Sequence, residues 1–247
     1  MSVLVEACVD SVASAVAAER GGARRLELCD NLSDGGTTPS AGMIAAVKAA
    51  VKIPVFVIVR PRGGGFVYSD VEAGVIRLDI DAARMLGADG VVTGSLTRDG
   101  RIDVDQLRAF RDGAAGLPVT FHRAFDLIRD QEAALEVLVA EGIQRVLTSG
   151  GAPSAIDGAT AIGALVRRAA GRIGVLAGGG VREENVQELV HRAKVNEVHV
   201  RGTTLRETPM SQGREGIRFR KPLPAQEWAW EETQERRVAE IVRLANG

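Results

Sequence analysis

A chain of 247 residues, 45% hydrophobic and 26% charged, has an ordinary globular composition and the length of one large α/β barrel or two small domains. The 31 Lys and Arg nearly balance 32 Asp and Glu, so the net charge of −1 leaves no electrostatic footprint for nucleic acid or an anionic membrane surface. Two cysteines, Cys8 and Cys29, are too few for a disulfide scaffold. No run of about 18 apolar residues is present to span a bilayer. Glu6, Asp10 and Glu19 interrupt the opening stretch where a secretory signal would be apolar, so a cytoplasmic protein is expected.

Short apolar runs alternate with amphipathic or Ala-rich stretches eight times along the chain. Strands are expected over 3–8, 25–29, 55–60, 90–93, 119–122, 145–148, 173–177 and 197–200. Helices are expected near 10–20, 40–51, 70–86, 103–112, 130–141, 158–170 and 182–192. Ser40 and Asp70 stand where helix starts need them, and Gly87, Gly142 and Gly171 stand just past helix ends. After the last strand, residues 206–225 read as an irregular loop and 226–245 as a final helix. Eight consecutive strand–helix units predict a single TIM (β/α)8 barrel over residues 1–247, closed by that C-terminal helix. A doubly wound open sheet is the competing architecture. Its first strand-to-helix turn would often carry a Gly-rich dinucleotide fingerprint, and the text after residue 8 has none.

In a barrel the functional groups gather at the C-terminal ends of the strands. Alternation along each strand separates a face toward the helices from a face toward the barrel interior. Val119 and Phe121 point outward by this logic, and Thr120 and His122 inward; Leu26 and Leu28 leave Glu27 and Cys29 inside. With the strand ends added, the expected inner layer is Glu6, Cys8, Glu27, Cys29, Arg60, Thr93, His122, Thr148 and His199. Carboxylates, an arginine and histidines are costly to bury unless paired or turned to a ligand. The structural alternative is an ion-pair network in which Glu6 or Glu27 neutralises Arg60. Glu6-Ala-Cys8 and Glu27-Leu-Cys29 repeat one spacing on neighbouring strands, which lie about 4.8 Å apart. Two thiols at matching height suit a soft cation such as Cu(I), with a histidine nitrogen beside them. Their alternative is a pair of small buried hydrophobes.

The loops add cations and glycines. Arg60-Pro61-Arg62-Gly63-Gly64-Gly65-Phe66 follows the third strand and has the makings of a lid with an apolar underside. Gly178-Gly179-Gly180 follows the seventh strand, a common place for a phosphate in barrels. Arg123 and Asp126 lie just beyond His122. No His/Glu metal helix, nucleophile elbow or Walker A motif names a reaction.

These motifs, together with Gly35-Gly36 and Thr38-Pro39-Ser40, Tyr68-Ser69-Asp70, Val92-Thr93-Gly94, Thr120-Phe121-His122-Arg123-Ala124-Phe125-Asp126, Arg145-Val146-Leu147-Thr148-Ser149-Gly150 and Glu197-Val198-His199, resemble the CutC family across about residues 3–205. That resemblance implies a cytoplasmic TIM barrel linked to copper homeostasis, with copper carried on Cys8 and Cys29. The chain departs from the family after His199, where Val200 and Arg201 stand in place of Ser or Gly. Two functional readings stay open. In one, the barrel mouth takes an anionic or polyhydroxylated small molecule. Arg60, Arg62, Arg123, Thr93, Thr148 and Gly179 then bind it, Glu6, Glu27 and His122 move protons, and Asp126 orients His122 or Arg123. In the other, Cys8, Cys29 and His199 hold Cu(I) without catalysis. Copper is the one cofactor suggested; nucleic acid and membrane are not expected as partners, and a homo-oligomer is compatible with a barrel of this size.

Overall fold

The computed structural model describes residues 2–209 and 228–247. In chain order it runs β1 (Leu4–Val9), α1 (Val12–Arg20), β2 (Arg25–Leu28), α2 (Ala41–Ala50), β3 (Val55–Ile58), α3 (Asp70–Met85), β4 (Gly90–Thr93) and α4 (Val104–Gly113). It continues through β5 (Val119–Phe121), α5 (Gln131–Ala140), β6 (Arg145–Thr148), α6 (Ala159–Ala169), β7 (Gly174–Gly178), α7 (Val186–Ala193) and β8 (Glu197–Val200). The eight strands pair in sequence order, all parallel, and β8 closes on β1. The expected TIM barrel is the fold found, with a C-terminal helix, α8 (Glu235–Asn246), packed on α1 and α7.

The tail after β8 differs from expectation. Thr203–Glu207 forms β9, which pairs antiparallel with β10 (Ala229–Thr233), so α8 begins at Glu235 rather than near 226. Its two ends anchor the strand: Ala229 and Thr233 are buried, the Thr233 N–H donates to the Ser14 hydroxyl, and the Thr233 hydroxyl donates to the Arg201 carbonyl. Most of the loop expected over 206–225 lies outside the described residues.

Local signals place the helices. Ser69 accepts the Glu72 N–H while the Glu72 carboxylate accepts the Ser69 N–H, a reciprocal cap that starts α3. Behind it Ala73, Ile76, Ile80 and Ala83, at helical spacing, bury one face against the strands. The outward strand residues meet those helices and are nearly all apolar: Val57, Val91, Val119, Val146 and Val198 are completely buried or nearly so.

The register fixes the opposite face. Phe56 pairs with Gly90, Ile58 with Val92, Val92 with Thr120, and Thr120 with Arg145. Glu6 stands level with both Arg25 and His199, and Cys8 with Glu27. The barrel axis therefore holds a column of charge. Arg145 Nε donates to Glu197 Oε2 at 2.6 Å, Arg25 Nη2 to the same oxygen at 2.6 Å, and Arg25 Nε to Glu6. Both guanidiniums lie over the Phe56 ring, at 5.3 and 5.5 Å. Removing one member of a buried ion pair leaves its partner uncompensated, at a cost of about 3–5 kcal/mol. Arg25→Ala is accordingly expected to destabilise the barrel by about that amount in urea unfolding; a loss under about 1 kcal/mol would contradict the column as described.

Candidate functional site

A cavity of about 410 Å³ opens at the C-terminal ends of the strands, a size suited to a small molecule. Cys8, Glu27, Cys29, Arg60, His122 and His199 all line it, as do Arg123 and Gly179. The arrangement has two sides. One is built on β1, β2 and β8 and carries sulfur and carboxylate. The other is built on the loops after β3 and β5 and carries Arg60, Phe66 and His122.

On the first side, the Cys8 and Cys29 Sγ atoms are 3.6 Å apart, both residues buried and both thiols free. His199 lies between two carboxylates, with Nδ1 2.8 Å from Glu6 Oε1 and Nε2 3.4 Å from Glu27 Oε2. Burial works against a charge on this imidazole, but Cys8, Glu6 and Glu27 outweigh it and hold its pKa well above the ordinary value. Glu6 goes the other way. Burial would raise it, yet the His199 hydrogen bond and the Arg25 charge bring it down to about 2. Glu27 has less compensation, and burial with the nearby Cys8 takes it up to about 8. The Cys29 hydrogen bond, helped by His199, lowers Cys8 to about 5 against the effect of burial, while the Cys29 thiol is pushed up. The cluster at neutral pH is thus a Cys8 thiolate, a Cys29 thiol, a protonated Glu27 and a Glu6–His199 ion pair.

Space for the rings comes from glycine. A Cβ on Gly178 would lie 2.9 Å from His199 Cβ and 2.5 Å from Leu147 Cδ1, and one on Gly94 2.9 Å from the His122 ring. Across the cavity, His122 is buried and its Nδ1 accepts the Ala124 N–H at 3.3 Å. That places the proton of the neutral ring on Nε2, which has no partner among the described residues. Burial, with the Arg60 charge, lowers His122 to about 3.

Several expected site residues lie elsewhere. Glu6 lies behind the residues that line the cavity, where register sets it against Arg25, and its Oε1 is 2.8 Å from His199 Nδ1. Val92 and Leu147 occupy the interior positions of β4 and β6, so Thr93 and Thr148 face outward by alternation. Their hydroxyls donate to the Val59 carbonyl at 3.1 Å and to Asp126 Oδ1 at 2.5 Å. Asp126 orients Arg123, whose Nε donates to it at 2.7 Å, but not His122; it also accepts the N–H groups of Ser149 and Gly151 and is a loop tie. Arg62 leaves the mouth after Pro61, pairs with Glu72 and lies over the Tyr68 ring at 5.2 Å. Arg60 is not neutralised by Glu6 or Glu27: its guanidinium donates to the carbonyls of Asp34, Gly36 and Gly64. His199, expected as a metal ligand, has both nitrogens engaged and offers no lone pair as it stands. Arg25 and Arg145 were missed, although the alternation that turns Glu27 inward turns Arg25 inward too.

Since the Cys8 pKa lies near 5 and its ordinary value near 9, the folded protein carries a thiolate across that interval. Its contribution to stability is present above pH 9 and lost as pH falls through 5. Absorbance at 240 nm should show one thiolate step near pH 5, and Cys29→Ala, which removes the S–H donor, should move it upward by roughly a unit or more. Absence of any step below pH 8 in the wild type would contradict the assignment.

Comparison with known proteins agrees with this architecture. The CutC family model matches residues 3–204. The human copper homeostasis protein cutC homolog is 46% identical over 242 residues, covering 98% of this chain and 89% of the relative. A CutC family protein of Vibrio campbellii is 46% identical over 213 residues, 85% of this chain and 86% of its own. Among solved structures, a Streptococcus agalactiae protein bearing the CutC name superposes with a TM-score of 0.77 at 38% identity, covering 80% of this chain and 98% of that one. By its sequence along nearly the whole barrel, the chain belongs to the CutC family.

Proposed function

We propose that the protein serves copper homeostasis by holding Cu(I) on Cys8 and Cys29 at the barrel mouth, with Glu27 as the neighbouring oxygen donor. The observation that carries the reading is the sulfur pair. Metal–sulfur bonds of about 2.3 Å let one ion touch two sulfurs up to about 4.6 Å apart, and these stand at 3.6 Å. Cys8, Glu27 and Cys29 also offer ligand atoms that all lie within 4.8 Å of one another. Soft thiolates favour Cu(I) over harder divalent ions. The names of the human and bacterial relatives point the same way.

The residues around the sulfurs prepare them. Cys8 is already the thiolate that a metal needs, stabilised by the Cys29 S–H and the His199 charge. The proton on Cys29 must leave when metal arrives, and the protonated Glu27 beside it supplies a second labile proton. His199 stays an imidazolium held by Glu6 and offsets the negative charge of two thiolates. Copper is the cargo in this reading. The protein would work in the cytoplasm, where thiols remain reduced, and a homo-oligomer is compatible with it. No helix among the described residues is long and apolar enough to cross a membrane.

Anaerobic titration with Cu(I) against a competing chelator tests the proposal. We expect one equivalent bound per chain and binding abolished in the Cys8→Ser/Cys29→Ser double variant. Because Cys29 and Glu27 both give up a proton when metal binds, the apparent affinity should rise up to about a hundredfold per pH unit from pH 6 to 8. Equal affinity in wild type and double variant would end the copper reading.

A further inference from the structure

The far side of the cavity holds a buried charge that the copper reading leaves unused. Arg60 is 4% exposed, and its partners are three backbone carbonyls; it has no carboxylate partner among the described residues. Its Nε has no hydrogen-bond partner among the described residues, and the same is true of His122 Nε2. The buried Tyr68 hydroxyl faces the Arg60 guanidinium but is neutral and does not cancel its charge. A buried guanidinium without a counter-ion and an orphaned imidazole N–H are each costly. Both are donors, so both lack the same thing: a negatively charged acceptor.

Phe66 occupies the place such an acceptor would take. Its ring centroid is 4.8 Å from the Arg60 Cζ and 4.8 Å from the centroid of the His122 ring. An aromatic face attracts a cation, but it accepts no proper hydrogen bond from His122 and is a weak substitute for an anion. The residue is only half-buried and follows Gly63-Gly64-Gly65, where Gly64 has φ of +80° and a Cβ on Gly65 would meet nothing within 4 Å. Arg123, 42% exposed, adds positive charge to the same cavity.

We propose that this wall is a second binding site, for a small molecule bearing a carboxylate or phosphate, with Phe66 as a cover that turns aside so that Arg60 and His122 can donate to the anion. The site is separate from Cys8 and Cys29 and does not depend on copper. Its chemistry is recognition of an oxyanion by a guanidinium and a neutral imidazole N–H.

Calorimetric titration of the full chain with inorganic phosphate and, separately, with malonate tests the proposal and distinguishes the two kinds of oxyanion. We expect one of them to bind at one per chain. A hydrogen bond to a charged group carries roughly a tenfold or larger effect on affinity, so His122→Leu should weaken binding about tenfold or more. His122→Gln, which returns an N–H near the Nε2 position, should recover most of it. Phe66→Ala, which uncovers both donors, should bind more tightly than wild type. The Cys8→Ser/Cys29→Ser variant should bind the anion normally, and His122→Leu should still take Cu(I), so each site can fail without the other. No binding of either anion to wild type or Phe66→Ala at millimolar concentration would overturn the proposal. Indifference to His122→Leu would do the same, and equal or weaker binding by Phe66→Ala would remove its role as a cover.

Discussion

The hydrogen-bonded contact of Glu6 with Arg25 below and His199 above is the interaction on which the site rests. Barrels of this kind usually fill their axis with layers of branched apolar side chains. Here Arg145, Glu197, Arg25, Glu6 and His199 alternate in charge from the floor toward the mouth, where the protonated Glu27 follows. Burying or half-burying six ionisable groups is costly unless each charge faces its opposite. The register of β1 against β2 and β8 provides that arrangement, because Glu6 is level with Arg25 on one side and His199 on the other. The column delivers a fixed positive charge to the level of the sulfurs. Without it, a thiolate at Cys8 would be an isolated anion in an apolar surrounding.

The two sides of the cavity use opposite electrostatic logic. Beside β1 and β2, carboxylates and sulfurs surround one imidazolium, an environment that draws in a soft cation. Beside β3 and β5, a guanidinium with no carboxylate partner among the described residues and a neutral histidine surround an aromatic ring. His122 and His199 have the same side chain and face the same cavity, yet their pKa values are pushed in opposite directions. His199 has Cys8, Glu6 and Glu27 for neighbours; His122 has burial and Arg60.

The barrel and half of its mouth were legible because both rest on period-two alternation, which is local. Glu27, Cys29, His122 and His199 follow directly from the apolar residues that flank them. Thr93 and Thr148 end their strands, which suggests the mouth, but parity turns them outward and gives the interior positions to Val92 and Leu147. Arg25 and Arg145 open their strands and look like the entry of a chain from solvent, so their burial depends on Glu6 and Glu197, far away in sequence. Asp126 illustrates the same limit. Its distance from His122 in sequence suggests a partnership, but the loop after β6 brings Ser149 and Gly151 amides that saturate it instead. The strand over 229–233 has no local signal because its pairing with 203–207 spans a long intervening stretch.

Protonation of the two cavity histidines is the most direct measure of this account. The chain has only three histidines, so long-range ¹H–¹⁵N spectra with His122 and His199 substituted in turn would assign every ring. The account expects His199 to show both nitrogens protonated at pH 7.5, and His122 to remain a neutral Nε2–H tautomer from pH 5 to 8. A neutral His199 at pH 7.5, titrating near 6.5 as a solvent-exposed histidine does, would contradict the charge column and the thiolate that depends on it.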